Sequence, residues 1–339
     1  MSGTTMQAEM AQQPERLAAL IGRYDEITAT VAELRPHPLA GTTVLARGSS
    51  DHAGVYGRYL IEESSGRPAG LAAPSLHTLY ETRVDYSGYL AIAVSQSGRT
   101  PEIVTALQRM QRAGAAGLAI TNDGSSPLAR ASRATLALEA GEERAVPATK
   151  TVTATLTAFA LVAAALGETP FTRAQLGQVP EWVANVLDDP EPAERVAAGL
   201  EGVTRLLTVG RGLLFGAALE AALKLKETTT ISAEGFSGAD LRHGPIAIVE
   251  QGLPVLAFVA GGPAHADMTD LVADLRGRGA EVYVAGSEAD ADLPLPAGVP
   301  EALLPIVAVV RAQQVALALA RARGLDPDAP AGLSKVTAT

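Results

Sequence analysis

Blocks of apolar and polar residues alternate along the chain and predict buried strands followed by helices. The apolar block at residues 89–93 is typical of a buried strand, and a polar run at residues 95–100 follows it. Pro101 and the residues after it are typical of the first turns of a helix. Such a strand–turn–helix joint directs backbone N–H groups and the positive end of a helix dipole into the turn.

The polar turn supplies hydroxyl groups that suit a phosphate monoester. Ser95, Ser97 and Thr100 add neutral hydrogen-bond donors to the backbone N–H groups, and Gln96 lies among them. The competing interpretation is an ordinary polar loop in which a serine caps the following helix. The turn is therefore a candidate phosphate cradle.

The same pattern occurs twice, which indicates an internal duplication. Two pairs of segments match at an offset of 164 residues and a third pair at an offset of 165. The matched segments are residues 44–48 with 208–212, residues 93–98 with 257–262, and residues 114–122 with 279–286. Each half has the rhythm of a doubly wound parallel sheet, so the predicted fold class is α/β, with two tandem flavodoxin-like domains.

Only the first copy of the turn carries hydroxyl groups. Residues 259–263, which match it in the second half, contain none, so phosphate binding is predicted in the first half alone. In open α/β sheets, ligands lie beyond the carboxyl ends of the strands, where the strand order reverses. The loop after the first strand, residues 47–52, is expected to line the same crevice through Ser49 and Ser50, unless these serines only cap a helix.

Outside the repeats, the pattern predicts flexible and helical segments. Residues 1–14 look flexible, residues 15–34 form an amphipathic pattern, residues 152–166 form an apolar helix, and a short helix lies near Trp182. The predicted organisation is an N-terminal helical segment (1–34), a first domain (35–166), a connector (167–194), a second domain (195–324) and a C-terminal tail (325–339).

Composition narrows the class of protein. The 339 residues are 47% hydrophobic and 4% aromatic, which suits two α/β domains packed through small side chains. A net charge of −10 with scattered basic residues argues against a nucleic-acid partner. No apolar run approaches the ~20 residues that cross a bilayer, and the N-terminus does not resemble a signal peptide. We therefore expect a cytoplasmic protein without a membrane partner.

Metal and cofactor chemistry has little support in the residue types present. The chain has no cysteine, so disulfides, thiolate metal sites and cysteine nucleophiles are excluded. Its five histidines lack the i, i+4 spacing of a metal pair. We predict no metal and no cofactor.

Three charged residues of the second half share one face of a predicted helix. Glu220, Lys224 and Glu227 are spaced i, i+4 and i+7 among alanines and leucines. The alternative is a solvated stripe with one ion pair, which contributes only ~0.3–0.5 kcal/mol.

Two further residues could take part in chemistry. His243 lies in a Gly-Pro loop, although a single loop histidine is more often structural or simply exposed. Lys335 lies near the C-terminus, where a lysine is ordinarily a surface charge. If the tail folds back into a site, desolvation would lower the pKa of this amine and free it to attack a carbonyl.

Six segments in order resemble proteins that contain two sugar isomerase (SIS) domains. They are MAQQP (10–14), SQSGRT (95–100), VPATK (146–150), LEAALKLKE (219–227), RHGP (242–245) and LSKVT (333–337). The chain is similar over almost its full length to the isomerase part of glucosamine-6-phosphate synthases. Residues 99–102 and the last five residues look more like the stand-alone SIS deaminases of amino-sugar breakdown.

The resemblance implies a role for each candidate residue. The sugar phosphate would be bound by Ser49, Ser50, Ser95, Gln96, Ser97 and Thr100. Glu227 would move a proton between C1 and C2, as an aldose–ketose shift requires. His243 would assist ring opening and come from the neighbouring subunit of a homodimer, which places the active site at the subunit interface.

The remaining roles concern orientation and closure. Lys335 would reach the open-chain carbonyl, with the tail as a lid. Glu220 and Lys224 would orient Glu227 and the substrate hydroxyls. Glu143 and Val146 would lie close to the sugar.

Departures from the synthase pattern change the expected reaction. The synthase has an additional glutamine-hydrolysing domain with a catalytic cysteine, and this chain has neither, so we expect no ammonia from glutamine by that route. Ala148 stands where the synthase usually has serine, and Arg47 where it has a small residue.

The predicted function is glucosamine-6-phosphate deamination to fructose 6-phosphate and ammonia, reversible when ammonia is abundant. One alternative is a fructosamine-6-phosphate deglycase or a related phosphosugar isomerase. An alternative of another class is a non-catalytic sugar-phosphate sensor, which would need only the phosphate cradle.

Overall fold

The computed structural model describes residues 2–335, which divide into two compact units, each discontinuous in sequence. The first-sheet unit consists of residues 15–143 and 154–172. The second-sheet unit consists of residues 2–14, 144–153 and 173–335. Each unit contains one five-stranded parallel sheet.

Helices and strands alternate through both sheets, as a doubly wound fold requires. From the N-terminus to the helix that follows the first sheet, the elements are α1 (Thr4–Ala11), α2 (Gln13–Gly22), α3 (Tyr24–Leu34), β1 (Gly41–Leu45), α4 (Ser49–Ser65), β2 (Ala69–Leu71), α5 (Pro74–Thr78), β3 (Tyr89–Val94), α6 (Pro101–Arg112), β4 (Ala116–Thr121), α7 (Pro127–Ala131), β5 (Ala134–Ala137) and α8 (Lys150–Leu166). The elements that follow are α9 (Arg173–Leu187), α10 (Glu191–Gly199), β6 (Arg205–Gly210), α11 (Phe215–Thr229), β7 (Ser232–Ser237), α12 (Gly238–Arg242), β8 (Pro254–Phe258), α13 (His265–Gly277), β9 (Glu281–Gly286), β10 (Leu293–Pro294) and α14 (Leu304–Ala322). Two short 3₁₀ turns, Gly212–Leu214 and Pro245–Ile248, complete the second set.

The two sheets have the same strand order, which confirms the predicted fold class. The first sheet runs β2-β1-β3-β4-β5, and the second runs β7-β6-β8-β9-β10. Even the register is repeated, because Leu45 pairs with Ala93 in the first sheet and Val209 with Ala257 in the second. Both partners in the second pair lie 164 residues after their counterparts, which is the offset found in the sequence.

The reversal of strand order falls between β1 and β3. Helix α6 packs its apolar face, which includes Ile103, Leu107 and Met110, against Leu45 and Ala93 near the ends of these strands. The fixed packing of α6 on β1 and β3 determines where the turn between β3 and α6 lies. The turn therefore sits at the topological switch point, where open α/β sheets bind ligands.

The N-terminal segment differs from the sequence prediction. Residues 1–14 were expected to be flexible, but α1 occupies Thr4–Ala11, and the predicted single helix at 15–34 is divided into α2 and α3. The carboxylate of Asp328 accepts hydrogen bonds from the backbone N–H groups of Thr5 (3.0 Å) and Met6 (2.7 Å), which satisfies the first turn of α1. No local pattern reveals a cap that lies more than 300 residues away.

The predicted connector also contains more regular structure than expected. Instead of one short helix near Trp182, the structure has the 15-residue helix α9 and then α10. Apolar residues at helical spacing, Leu176, Val179, Val183 and Val186, are buried on one face of α9. The domain boundaries inferred from the sequence stay a prediction.

Helix α14 departs from the expectation that no apolar segment approaches the length of a membrane span. Among residues 2–335 it alone is long and apolar enough to cross a bilayer, with 19 residues. However, 89% of its most apolar window is buried inside the protein. Such burial is typical of a core helix, and α14 indeed packs against α9, α10 and α11.

Candidate active site

The turn after β3 is closed around its own hydroxyl groups. Ser95 Oγ and Thr100 Oγ1 are 3.1 Å apart, and Ser97 Oγ accepts a hydrogen bond from the Arg99 N–H at 3.3 Å. The Gly98 N–H donates to Ser95 O at 3.0 Å, with a φ of 62° at Gly98. A Cβ atom at Gly98 would lie 2.1 Å from Ser126 Oγ, so only glycine fits this position.

Helix capping does not account for the hydroxyl groups of Ser49, Ser50 and Thr100. Gly48, with a φ of 58°, occupies the N-cap position of α4, so Ser49 and Ser50 are the first two helical residues rather than its cap. Thr100 is the N-cap of α6, but its side chain makes no capping hydrogen bond. The hydroxyls therefore remain grouped near the starts of two helices, each of which provides unsatisfied backbone N–H groups and a positive dipole end.

An ion pair that sequence reasoning missed flanks this turn. Arg47, directly after the loop residue Ala46, pairs with Glu102 in the first turn of α6, with Nη2 and Oε2 2.8 Å apart. In the sequence, Arg47 is distinguished only as a departure from the synthase pattern. The charge of Glu102, which would oppose a bound phosphate, is thereby neutralised.

A corresponding ion pair occurs in the second sheet. Arg211, which follows β6, contacts Asp267 in the first turn of α13, with Nε and Oδ2 3.1 Å apart. Asp267 also accepts a hydrogen bond from Arg242 Nη1 at 2.7 Å. This second contact holds the end of α12, and with it the loop that carries His243.

Helix α11 contains a buried charge cluster. The side chain of Lys224 is fully buried, and its Nζ lies 2.5 Å from Glu227 Oε2 and 3.4 Å from Glu220 Oε1. The side chain of Glu220 is 1% exposed, whereas that of Glu227 is 21% exposed. The alternative of a solvated stripe is wrong, and Glu227 is the member of the cluster that solvent or a ligand can reach.

Electrostatics keep the amine of this cluster charged. Burial by itself would lower the pKa of Lys224, but the carboxylates of Glu220 and Glu227 outweigh that effect. The pKa of Lys224 is therefore raised above its usual value of 10.5. A permanent cation next to Glu227 fixes the orientation of its carboxylate.

The other predicted residues lie outside that cluster. His243 is exposed at the C-terminal end of α12, and no hydrogen bond within residues 2–335 joins its side chain to Glu227. Glu143 is buried, and Val146 is half-buried, with its N–H donating to Asp328 O at 2.9 Å. Lys335 is half-buried and is the last residue that the structure describes, so residues 336–339 of the predicted tail lie outside it.

Residues of α1 and its C-cap hold the segment that carries Val146. The buried carboxylate of Glu9 accepts hydrogen bonds from the N–H groups of Arg144 (2.5 Å) and Ala145 (3.3 Å). Gln12 Oε1 accepts a hydrogen bond from Lys150 Nζ at 2.7 Å. Glu9 was absent from the sequence prediction, although it immediately precedes the MAQQP segment.

Further hydrogen bonds join the same segment to α14. Gln313 Nε2 donates to Thr149 O at 3.2 Å, and its Oε1 accepts from Gln13 Nε2 at 3.1 Å. Both glutamines are fully buried. Hydrogen bonds therefore join the MAQQP segment to the VPATK segment, both directly and through Gln313.

The comparisons with known proteins identify the family. The family model described as "SIS domain" matches residues 42–165 and 200–319, which cover both sheets. The chain belongs to the SIS domain family, and the resemblance inferred from the six segments is confirmed.

Several named relatives match nearly the whole chain. It is 34% identical to a glutamine–fructose-6-phosphate aminotransferase (isomerizing) of Methanothermobacter thermautotrophicus over 97% of the chain and 56% of that relative. It is 35% identical to the enzyme of the same name from Streptomyces coelicolor, over 97% of the chain and 58% of the relative. The chain thus spans a little more than half the length of these relatives.

Solved structures share the fold. A protein of Silicibacter pomeroyi, provisionally assigned as a phosphosugar isomerase, is 35% identical, with a TM-score of 0.87 over 97% of this chain and 100% of that one. A glucosamine-6-phosphate deaminase of Thermotoga maritima has a TM-score of 0.80 over 99% of this chain and 100% of that one. At 22% identity, the deaminase supports a common fold only.

Proposed function

We propose that this chain is a phosphosugar isomerase that deaminates glucosamine 6-phosphate. The overall reaction is glucosamine 6-phosphate plus water to fructose 6-phosphate plus ammonia. The observation that carries the proposal is Glu227, a partly exposed carboxylate held at 2.5 Å by the buried ammonium of Lys224. A binding protein for a phosphate group has no need of such a cluster, whereas proton transfer between carbons needs an oriented base.

The phosphate end of the substrate is assigned to the switch point of the first sheet. Ser95, Ser97 and Thr100 would bind the phosphate oxygens together with Gln96 and the N–H groups at the start of α6. Ser49 and Ser50 would contribute from the start of α4. The Arg47–Glu102 pair supports this role, because it removes a negative charge from the first turn of α6.

The proposed reaction begins with opening of the sugar ring, which gives the open-chain aldehyde. His243 assists ring opening, and Glu227 removes the proton from C2 and returns it to C1. The C2 amine becomes an imine and its N–H proton passes to the C1 oxygen, so that the aldehyde at C1 becomes an alcohol. Water adds to the C2 carbon of that imine, the C–N bond breaks, and ammonia leaves with fructose 6-phosphate as the ketose product.

Neighbouring residues are assigned to orient Glu227 and the substrate. Lys224 and Glu220 hold Glu227 in place, and Glu143 and Val146 are assigned to positions close to the sugar. Lys335 would reach the open-chain carbonyl, with the tail closing as a lid. Ring opening by His243 is proposed to occur across a homodimer interface in the cytoplasm, and the exposure of His243 on its loop supports donation to a neighbouring subunit.

The relatives of about 34% identity support the substrate class. Their names describe enzymes that use fructose 6-phosphate and glutamine. The proposed deaminase would form fructose 6-phosphate and release free ammonia, where the names of these relatives give fructose 6-phosphate and glutamine as substrates.

The decisive experiment is to incubate the purified protein with glucosamine 6-phosphate and to quantify ammonia and fructose 6-phosphate together. The proposal requires equal amounts of both products. Glu227→Gln should abolish turnover while retaining binding of the sugar phosphate by calorimetry. Glu288→Gln, an exposed acid in the loop after β9, is the matched control and should leave turnover unchanged.

Other outcomes would replace the proposal. Turnover of a fructosamine 6-phosphate to glucose 6-phosphate, with none of glucosamine 6-phosphate, would indicate a deglycase. Tight binding without turnover of either sugar, with affinity unchanged in Lys335→Ala, would indicate a sugar-phosphate sensor.

A further inference from the structure

The second-sheet unit contains a cavity away from the proposed chemistry. Its volume is about 580 Å³, and it lies between α1, α9, α10 and α14. None of the residues assigned above to the sugar or its phosphate lines it. Its volume falls within the range of about 300–1,000 Å³ that is usual for small-molecule sites.

The floor of this cavity is apolar. The larger side chains of the floor are those of Met10, Leu187 and Leu317. The small side chains of Ala197 and Ala318 leave space for a ligand. Met10 is 3% exposed and Leu317 is 6% exposed, so the floor is continuous with the core. An apolar group of a ligand would be removed from water here, which provides the main driving force for binding.

The polar part of the wall is negatively charged. Asp188, Glu194 and Glu201 line the cavity at the end of α9 and along and just beyond α10. Within residues 2–335, no side chain forms an ion pair with any of these three carboxylates. A ligand with a positive charge would therefore meet carboxylates that are available to it.

Among the described residues, one cationic side chain, that of Arg321, lines this cavity, and it donates hydrogen bonds to the N-terminal segment. Arg321 donates from Nη2 to Gln7 Oε1 at 2.8 Å and from Nε to Ser2 O at 3.0 Å. It also donates to Gly3 O at 3.2 Å. These acceptors are neutral, so the guanidinium keeps its charge and offsets one of the three carboxylates, which leaves the lining with a net charge of −2.

We propose that this cavity binds an amphiphilic ammonium ion, namely a primary amine attached to an apolar body of about six carbons. The apolar body occupies the floor formed by Met10, Leu187 and Leu317. The ammonium group faces Asp188, Glu194 and Glu201. A phosphate ester is repelled by the same carboxylates, so the site is distinct in chemistry from the hydroxyl turn of the first sheet.

Two residues of the cavity floor pack against the segment that carries Val146. Met10 and Leu317 form one buried cluster with Met6 and Ala145. The N–H group of Ala145 also donates a hydrogen bond to the Glu9 carboxylate at 3.3 Å. A ligand on this floor would contact residues that pack against a segment assigned to sugar binding in the proposed function. The cavity site itself does not depend on that assignment.

Calorimetric titration of the purified chain with hexylammonium, hexanol and hexanoate tests the proposal directly. Hexylammonium should bind about fivefold more tightly than hexanol, as expected for partly exposed carboxylates, and hexanoate should bind more weakly than both. Raising the salt concentration should weaken hexylammonium and leave hexanol unchanged. No sugar or turnover enters this measurement, so failure of the proposed function would not affect its result.

Two variants locate the binding site. The double variant Glu194→Gln and Glu201→Gln should reduce the affinity for hexylammonium to that for hexanol, whereas Glu288→Gln should leave it unchanged. Ala318→Leu fills the floor and should weaken both probes at least tenfold, with the melting temperature confirming that the variant is folded. Equal affinity for hexylammonium and hexanol, or an unchanged affinity in either cavity variant, would overturn the proposal.

Discussion

Arg47 and Glu102 form an ion pair of 2.8 Å between the end of β1 and the start of α6. Arg211 and Asp267 repeat it in the second sheet at 3.1 Å. The second pair follows the first in the sequence at nearly the same offset as that between the repeated strands. Because only the first pair flanks hydroxyl groups, the second serves as an internal control for the first.

Arg47→Ala should weaken binding of glucosamine 6-phosphate about tenfold, equivalent to about 1.4 kcal/mol. The substitution leaves the carboxylate of Glu102 unpaired beside the proposed phosphate position. Calorimetry of the single variant and of Arg47→Ala with Glu102→Gln measures the coupling between the two residues.

The double variant should recover part of the lost affinity, since it removes the unpaired charge. Arg211→Ala should leave the affinity unchanged, because its turn has no hydroxyls. An equal loss of affinity in Arg211→Ala would mean that such pairs support the fold rather than the phosphate.

Gly98→Ala should both destabilise the protein and reduce phosphate binding. A positive φ costs about 1 kcal/mol or more for alanine, and the new methyl group would collide with Ser126. Urea unfolding and calorimetry would measure the two effects. Gly261→Ala is the matched control, because no atom lies within 4 Å of its added Cβ and the corresponding turn lacks hydroxyls. If Gly98→Ala binds normally, the turn is not the phosphate site.

Lys224→Met should lower the free energy of unfolding by about 3–5 kcal/mol, because it leaves the buried Glu220 and its neighbour Glu227 without their counter-ion. Lys226→Met, at an exposed position of the same helix, should change stability by no more than about 0.5 kcal/mol. Chemical denaturation followed by circular dichroism compares the two. A loss in Lys224→Met as small as that in the control would contradict the buried cluster.

Titration of the Lys224 amine should reduce the stabilisation from this residue at alkaline pH. Its pKa is raised above 10.5 in the folded protein, so the unfolded chain loses this proton first as the pH rises. The contribution is thus complete below pH 10.5 and declines as the pH rises through the higher folded value. The stability difference between the wild type and Lys224→Met, measured in urea at pH 8, 9.5 and 11, should be constant at the first two values and smaller at the third.

Glu9→Gln should destabilise the segment that carries Val146. The amide places an N–H₂ group or a weaker acceptor against the N–H groups of Arg144 and Ala145, at a cost of about 1–3 kcal/mol. Urea unfolding measures that loss, and Glu15→Gln, at an exposed position of α2, provides the control. As a positioning residue, Glu9 should affect KM for the sugar more than kcat; an effect on kcat alone would exclude that role.

Local patterns in the sequence determined the sheets and the turn. A buried strand, a glycine turn and a proline at the helix start are all encoded within about twenty residues, since backbone geometry and apolar periodicity act over short distances. The duplication was equally visible, because two copies of one local pattern keep their spacing. For these reasons β3, the start of α6 and the two repeated parallel sheets agree with the sequence prediction.

Contacts between distant residues were decided by the tertiary structure alone. Glu9 meets Arg144 across 135 positions, and Asp328 caps α1 across more than 300. The same holds for burial, since the spacing of Glu220, Lys224 and Glu227 fits a solvated stripe as well as a buried cluster. Only the packing of α11 against β7 and α14 removes Lys224 from water, and that packing depends on every element around it rather than on the helix itself.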